Sequence, residues 1–128
     1  MWMVDPMIMC RQHLLGEHVE LHMLVGTLKR GISVQGYLRD KLFEPESLYQ
    51  RHEDLVNEME WRGYNHKSPL DVVPLDHLPD NPIDRMASLA ELIRRCPECQ
   101  ARYHDLQAED GLLTGLAPVE PRVVSFEL

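Results

Sequence analysis

Three observations predict an all-α fold: aromatic residues are scarce, apolar residues recur at helical spacing, and three prolines stand where helices open. Tryptophan, tyrosine and phenylalanine together make 6% of the chain. Leu, Val, Ile and Met must therefore fill the interior, which suits helices packed on helices better than a sheet sandwich. With 128 residues and 44% hydrophobic content, the chain has apolar matter for one core and not two. The expectation is a compact three-helix domain over residues 1–110 with long proline-rich connections, followed by a C-terminal tail over 111–128.

Each helix is announced by a polar residue followed by proline, at Asp5-Pro6, Glu44-Pro45 and Asn81-Pro82. The first should run from about Pro6 to Lys29 or Arg30 and stop at Gly31, with Leu14, Leu21, Val25 and Leu28 as its apolar stripe. The second should run from about Glu46 to Arg62 and close at Gly63. Leu48, Leu55, Val56 and Met59 form its buried side, and His52 falls within that stripe. Ser68 to Pro82 carries too many prolines for a helix and reads as an extended wrap. The third should start near Pro82 and pass through Ile83, Met86, Leu89, Ala90, Leu92 and Ile93, with Pro97 kinking or restarting it before Leu106. In the tail, Val123 to Phe126 is expected either to dock as a short strand or to stay loose.

Composition narrows the function classes. There is no apolar run of about 18 residues, and the opening MWMVDP lacks the basic region and long apolar stretch of a signal peptide. A cytoplasmic protein with no membrane partner is expected. The net charge of −8 argues against gripping nucleic acid by bulk attraction, so any DNA-binding face has to be local. Three cysteines do not form an even disulfide framework, which leaves reduced thiols or a metal.

Chemistry concentrates in Cys10 to His22, CRQHLLGEHVELH. At 100° per residue His13, Glu17, Glu20 and Leu24 lie in one line beside the apolar stripe, while Gln12, Gly16, Val19 and Met23 take the far side. Both carboxylates should thus be partly buried and face a cleft. Burial raises a carboxyl pKa and an imidazolium lowers it, so such a row can divide acid and base roles; it can equally be a hydrogen-bonded polar seam between helices.

HLLGEHVELH, together with EDLVNEMEWRGYN (Glu53 to Asn65), resembles the pyrimidine-dimer DNA glycosylases, the phage endonuclease V family. These are small three-helix proteins in which a histidine on the first helix precedes the catalytic glutamate by seven residues, as His13 precedes Glu20. Arg62-Gly63-Tyr64-Asn65 matches the family's Arg-Gly-aromatic-Asn at the end of the second helix. The resemblance covers about residues 1 to 67.

It implies a glycosylase with AP-lyase activity on damaged double-stranded DNA and no cofactor. The nucleophile would be the N-terminal α-amine, here that of Met1 because a bulky Trp2 disfavours methionine removal. An ordinary α-amine pKa of about 7.7–8.0 leaves a useful neutral fraction at pH 7. Glu20 would stabilise the cationic sugar and move protons, His13 would hold the ribose or a phosphate, and Glu17 would support them. Val19 and Met23 stand where the family carries arginines, so phosphate contacts fall to Arg11, Lys29, Arg30, Arg62, Asn65, His66 and Lys67.

Two further readings start from ligand spacing. Cys10-Arg11-Gln12-His13 and Cys96-Pro97-Glu98-Cys99 both have the two-residue gap of structural zinc ligands and together would close one tetrahedral site. The preferred reading is no metal, with Cys10 a small apolar core residue and the other pair an ordinary helical turn, because Cys10 and Cys96 are far apart in sequence. His18 and His22, one helical turn apart, lack the glutamate of an HExxH motif and read as solvated or core-edge histidines. His52 reads as a satisfied core histidine, the acidic run Glu53 to Glu60 as a solvated face, and Trp61 and Tyr64 as packing residues. The alternative to the enzyme is a non-catalytic small helical binding protein, zinc-stabilised if the four ligands meet.

Overall fold

The computed structural model describes residues 1–66 and 68–114, with side chains to residue 108. The fold is all-α, with no strand among the described residues. Among the described residues five α-helices follow in order: α1 (Arg11–Lys29), α2 (Gln35–Arg39), α3 (Leu48–Trp61), α4 (Arg85–Arg95) and α5 (Pro97–Thr114). Single 3-10 turns cover Pro6–Ile8 and Pro45–Ser47. α1 packs on α3 and α4 on α5, and the Pro6–Ile8 turn touches both α3 and α5 and so joins the two pairs. Leu14, Leu21 and Leu24 of α1, Leu48 and Leu55 of α3, Leu92 of α4, Met9 and Phe43 are sealed in one shared core. No described helix is long and apolar enough to cross a membrane.

The first helix begins five residues later than its proline suggests. Met9 and Cys10 are extended, with ψ of 134° and 166°. Carbonyls that a continuous helix would use for itself are taken by guanidinium groups from elsewhere: Arg62 donates to the carbonyls of Pro6 and Met9 at 3.1 and 2.7 Å, and Arg102 to that of Met7 at 2.7 Å. Charge-assisted bonds from α3 and α5 thereby override the local helix signal. At its other end α1 stops at Gly31, whose φ of +69° suits glycine, and the Gly31 and Ile32 N–H groups return to the Leu28 and Thr27 carbonyls. Gly63, at φ +83°, closes α3 the same way, with Gly63 and Tyr64 donating to Glu60 and Met59.

The third predicted helix is two. Residues 81–83 stay extended because Asn81 and Ile83 give their N–H groups to Glu46 and Glu44. α4 then starts at Arg85, capped by the Asp84 carboxylate on the Ala87 N–H at 3.0 Å. Cys96, forced toward extended backbone by the proline after it, ends α4, and Pro97 opens α5. Met86, placed by the periodicity on the apolar face, is 76% exposed. α5 continues to Thr114, past residue 110; Val123 to Phe126 lie outside the described residues.

The proline-rich wrap is tied down by side chains. The Tyr49 hydroxyl accepts the Val73 N–H at 2.7 Å, and Asn81 donates to the Leu38 and Phe43 carbonyls at 2.9 Å each. Asn81 thereby brings the start of α4 against the turn after α2, next to the amino terminus.

Candidate functional site

The first four residues fold over α1, with Met1, Trp2 and Val4 each pinned. Met1 buries its side chain, whose Sδ accepts the Glu44 N–H. Its α-amine lies 2.6 Å from Glu20 Oε1 and 2.9 Å from the Leu42 carbonyl oxygen. Trp2 donates its N–H to Glu17 Oε1 at 3.1 Å, and its carbonyl accepts the Ser88 hydroxyl from α4. Glu17 is clasped by Arg51 of α3 through two parallel bonds, Nε to Oε2 at 2.6 Å and Nη2 to Oε1 at 3.0 Å, and Arg51 Nη1 holds the Val4 carbonyl at 2.6 Å. This buried pair thus fixes residues 2 and 4 from beneath and sets where the amine stands.

The amine and Glu20 open on a cavity of about 600 Å³, walled also by Trp2, Lys41, Ser88 and Arg95. That volume is within the range of small-molecule and nucleotide sites. Behind it, Arg85 holds the Glu44 carboxyl down to about 2, with help from the Ser47 hydroxyl and the Ile83 N–H and against the opposing effect of burial.

Two further groups of side chains meet along α1. At its start the Cys10 Sγ is 3.2 Å from His13 Nδ1 and 3.8 Å from Cys96 Sγ, and Cys99 Sγ is 3.7 Å from the same His13 nitrogen. Midway along, His18 and His22 of α1 meet His52 of α3 and His66 beyond its end, with ring centroids 4.7 to 5.4 Å apart. Either group brings four ligand atoms within 4.8 Å of one another and could hold a metal ion. Burial, then repulsion from the other three imidazoles, pushes His18 down to about 4; burial, then His22 and His66, lower His52.

The row aligned in sequence therefore divides. Met1, Glu20 and Glu17 come together, whereas His13 turns its ring to the cysteines, with the Trp2 indole edge-on at 5.8 Å. Arg62, its side chain 5% exposed, holds the Pro6–Met9 loop and Glu58, so it braces the fold. Arg11 is exposed with its guanidinium 4.6 Å over the Tyr64 ring; Lys29 pairs with Asp71 at 2.8 Å; Arg30 and Asn65 are exposed. His66 belongs to the imidazole group, and Lys67 lies outside the described residues. His52 is buried there, and Glu58 leaves the solvated acidic face to pair with Arg62.

Sequence reasoning missed Lys41 and Arg95 as walls of the amine's cavity and missed the four-histidine group as a set. Lys41 and Arg95 are brought in by the Asn81 tether and by α4, which no local pattern signals. The histidines were legible in part: His18 and His22 share a face, and pairing α1 with α3 through His52's stripe would have brought three of the four together.

A family model described as pyrimidine dimer DNA glycosylase matches residues 1–72, more than half of the chain. No curated protein and no solved structure matches it.

Proposed function

Because the chain belongs to the pyrimidine dimer DNA glycosylase family, we propose that it excises damaged pyrimidines from double-stranded DNA and cleaves the strand as an AP lyase, with the Met1 amine as nucleophile and Glu20 as acid and base. The observation that carries this reading is the 2.6 Å contact between the amine and Glu20 at the mouth of an open cavity. A proton passed from the ammonium to Glu20 leaves an amine lone pair that can attack C1′. As the N–C1′ bond forms, the glycosidic bond breaks, and the departing base takes the proton from Glu20. The C1′–O4′ bond then breaks as a proton passes from the nitrogen to O4′, which opens the sugar and leaves a protonated imine at C1′. Removal of a C2′ proton by the Glu20 carboxylate then expels the 3′ phosphate.

Lys41, bonded to Asn81 Oδ1 at 2.7 Å, and Arg95, paired with Glu91 at 2.7 Å, are the side-chain cations of a cavity wall that also carries Asp84 and Glu91, and they are assigned to the flanking phosphates with Arg11, Lys29 and Arg30. A pyrimidine dimer weakens stacking, so its nucleotides enter the cavity at lower cost than those of intact duplex. His13, turned to the cysteines, takes no step. Borohydride reduction on duplexes carrying a dimer or an abasic site tests the reading. It should trap a covalent adduct on Met1, located by mass spectrometry and absent from Glu20→Gln. Folded protein that forms no adduct on either substrate sinks the lyase and leaves a non-catalytic binding protein.

A further inference from the structure

We propose that His18, His22, His52 and His66 form a binding site for a first-row divalent metal ion of the zinc class, independent of the glycosylase reading. All four Nε2 atoms are buried and without a hydrogen-bond partner. Buried polar atoms in folded proteins are nearly always paired, and four unpaired imidazole nitrogens from three chain segments converging on one point exceed any packing requirement. One bound ion would give all four Nε2 atoms a partner at once, which no protein group among the described residues does. Four neutral nitrogens suit zinc, copper or nickel and disfavour magnesium and calcium, which take oxygen ligands.

A second site is carried by different observations, and we infer that Cys10, His13, Cys96 and Cys99 bind zinc. A tetrahedral zinc ion has edges of about 3.8 Å between sulfurs and about 3.5 Å between sulfur and nitrogen. The observed 3.8 Å between Cys10 and Cys96 equals the sulfur–sulfur edge, and the 3.2 and 3.7 Å from His13 to Cys10 and Cys99 bracket the sulfur–nitrogen edge. Thiolates in such sites are steadied by backbone donors, and here the Cys10 N–H points to Cys99 Sγ at 3.2 Å and the Cys99 N–H to Cys96 Sγ at 3.4 Å. The ion would clamp the start of α1 to the α4–α5 junction, and through α4 it would steady Ser88 and Arg95 at the amine's cavity. Four protein ligands fill the shell, so the site is structural.

One experiment reads both. The full chain, purified without chelator, is weighed by native mass spectrometry and assayed for metals, then reloaded with Co(II) after stripping. Two metal ions per chain are expected. Cys96→Ser with Cys99→Ser should remove one ion and the thiolate-to-cobalt charge-transfer band. His22→Asn with His66→Asn should remove the other ion and leave that band. Wild-type protein that is helical by circular dichroism yet retains no metal after exposure to Zn(II) or Co(II) overturns both sites, whether or not the variants fold. One ion with the charge-transfer band overturns the histidine site, and one ion without it overturns the cysteine site.

Discussion

Glu17 and Glu20 sit one turn apart on α1, carry the same charge and face the same terminal segment, yet their surroundings differ completely. The Glu17 side chain is fully enclosed, and both its oxygens are held by Arg51 and the Trp2 N–H. Glu20's is 30% exposed, touches the α-amine and faces a cavity. Similar carboxylates thus differ in what they leave open: one is saturated by protein partners, while the other borders a cavity and touches a group that can exchange protons.

The largest effect should come from Glu20→Gln. Imine trapping and strand cleavage should fall by roughly 10²–10⁴-fold, the usual weight of a general acid or base. Stability should change by less than about 1 kcal/mol, because the pair lost is partly exposed. The reverse is expected of Glu17→Gln, which strands the Arg51 guanidinium, 3% exposed, opposite a neutral amide. Urea denaturation should show a loss of about 3–5 kcal/mol. A Glu17→Gln protein as stable as wild type would erase the distinction between the two carboxylates.

Glu44 gives an intermediate case, since its own side chain is 3% exposed but its partner Arg85 is 48% exposed. Its carboxyl is lowered from 4.5 to about 2, chiefly by Arg85. A depressed carboxylate contributes stability that is present above the unfolded value of 4.5 and is lost as pH falls from there toward 2. Denaturation midpoints should therefore drop through that window by an amount worth roughly 2 kcal/mol, and Arg85→Ala should flatten this part of the profile. The smallest effect belongs to Gly16→Ala. A Cβ there meets nothing within 4 Å, and the backbone is ordinary helix. Stability should rise by up to about 1 kcal/mol with strand cleavage unchanged, which would show that Glu17's turn is sensitive to charge and tolerant of bulk.

Much of the core was legible in sequence, because Leu14, Leu21 and Val25 on α1 and Leu48, Leu55 and Met59 on α3 keep helical spacing and are buried. The two glycine stops, at Gly31 and Gly63, were legible for the same local reason. What escaped was set by distant partners: Arg62 and Arg102 uncoil residues 9 and 10, and Glu44 and Glu46 hold residues 81–83 extended. The site divides along the same line. Glu20 lay on the predicted face, but nothing local could show that residues 1–4 would fold back and bring the amine to it. His13 shared that line and still parted from it, because its ring turns to Cys10 and to Cys99, which approaches from α5.

The seat of the Met1 nitrogen has a practical consequence for anyone handling the protein. Any residue added ahead of it, such as a purification tag or a protease scar, turns the ammonium into an amide with one hydrogen, which cannot serve both the Glu20 carboxylate and the Leu42 carbonyl. Met1 is only 7% exposed, so the added chain would also have to prise residues 1–4 off Arg51 and Ser88 to leave. Affinity handles therefore belong at the other end of the molecule.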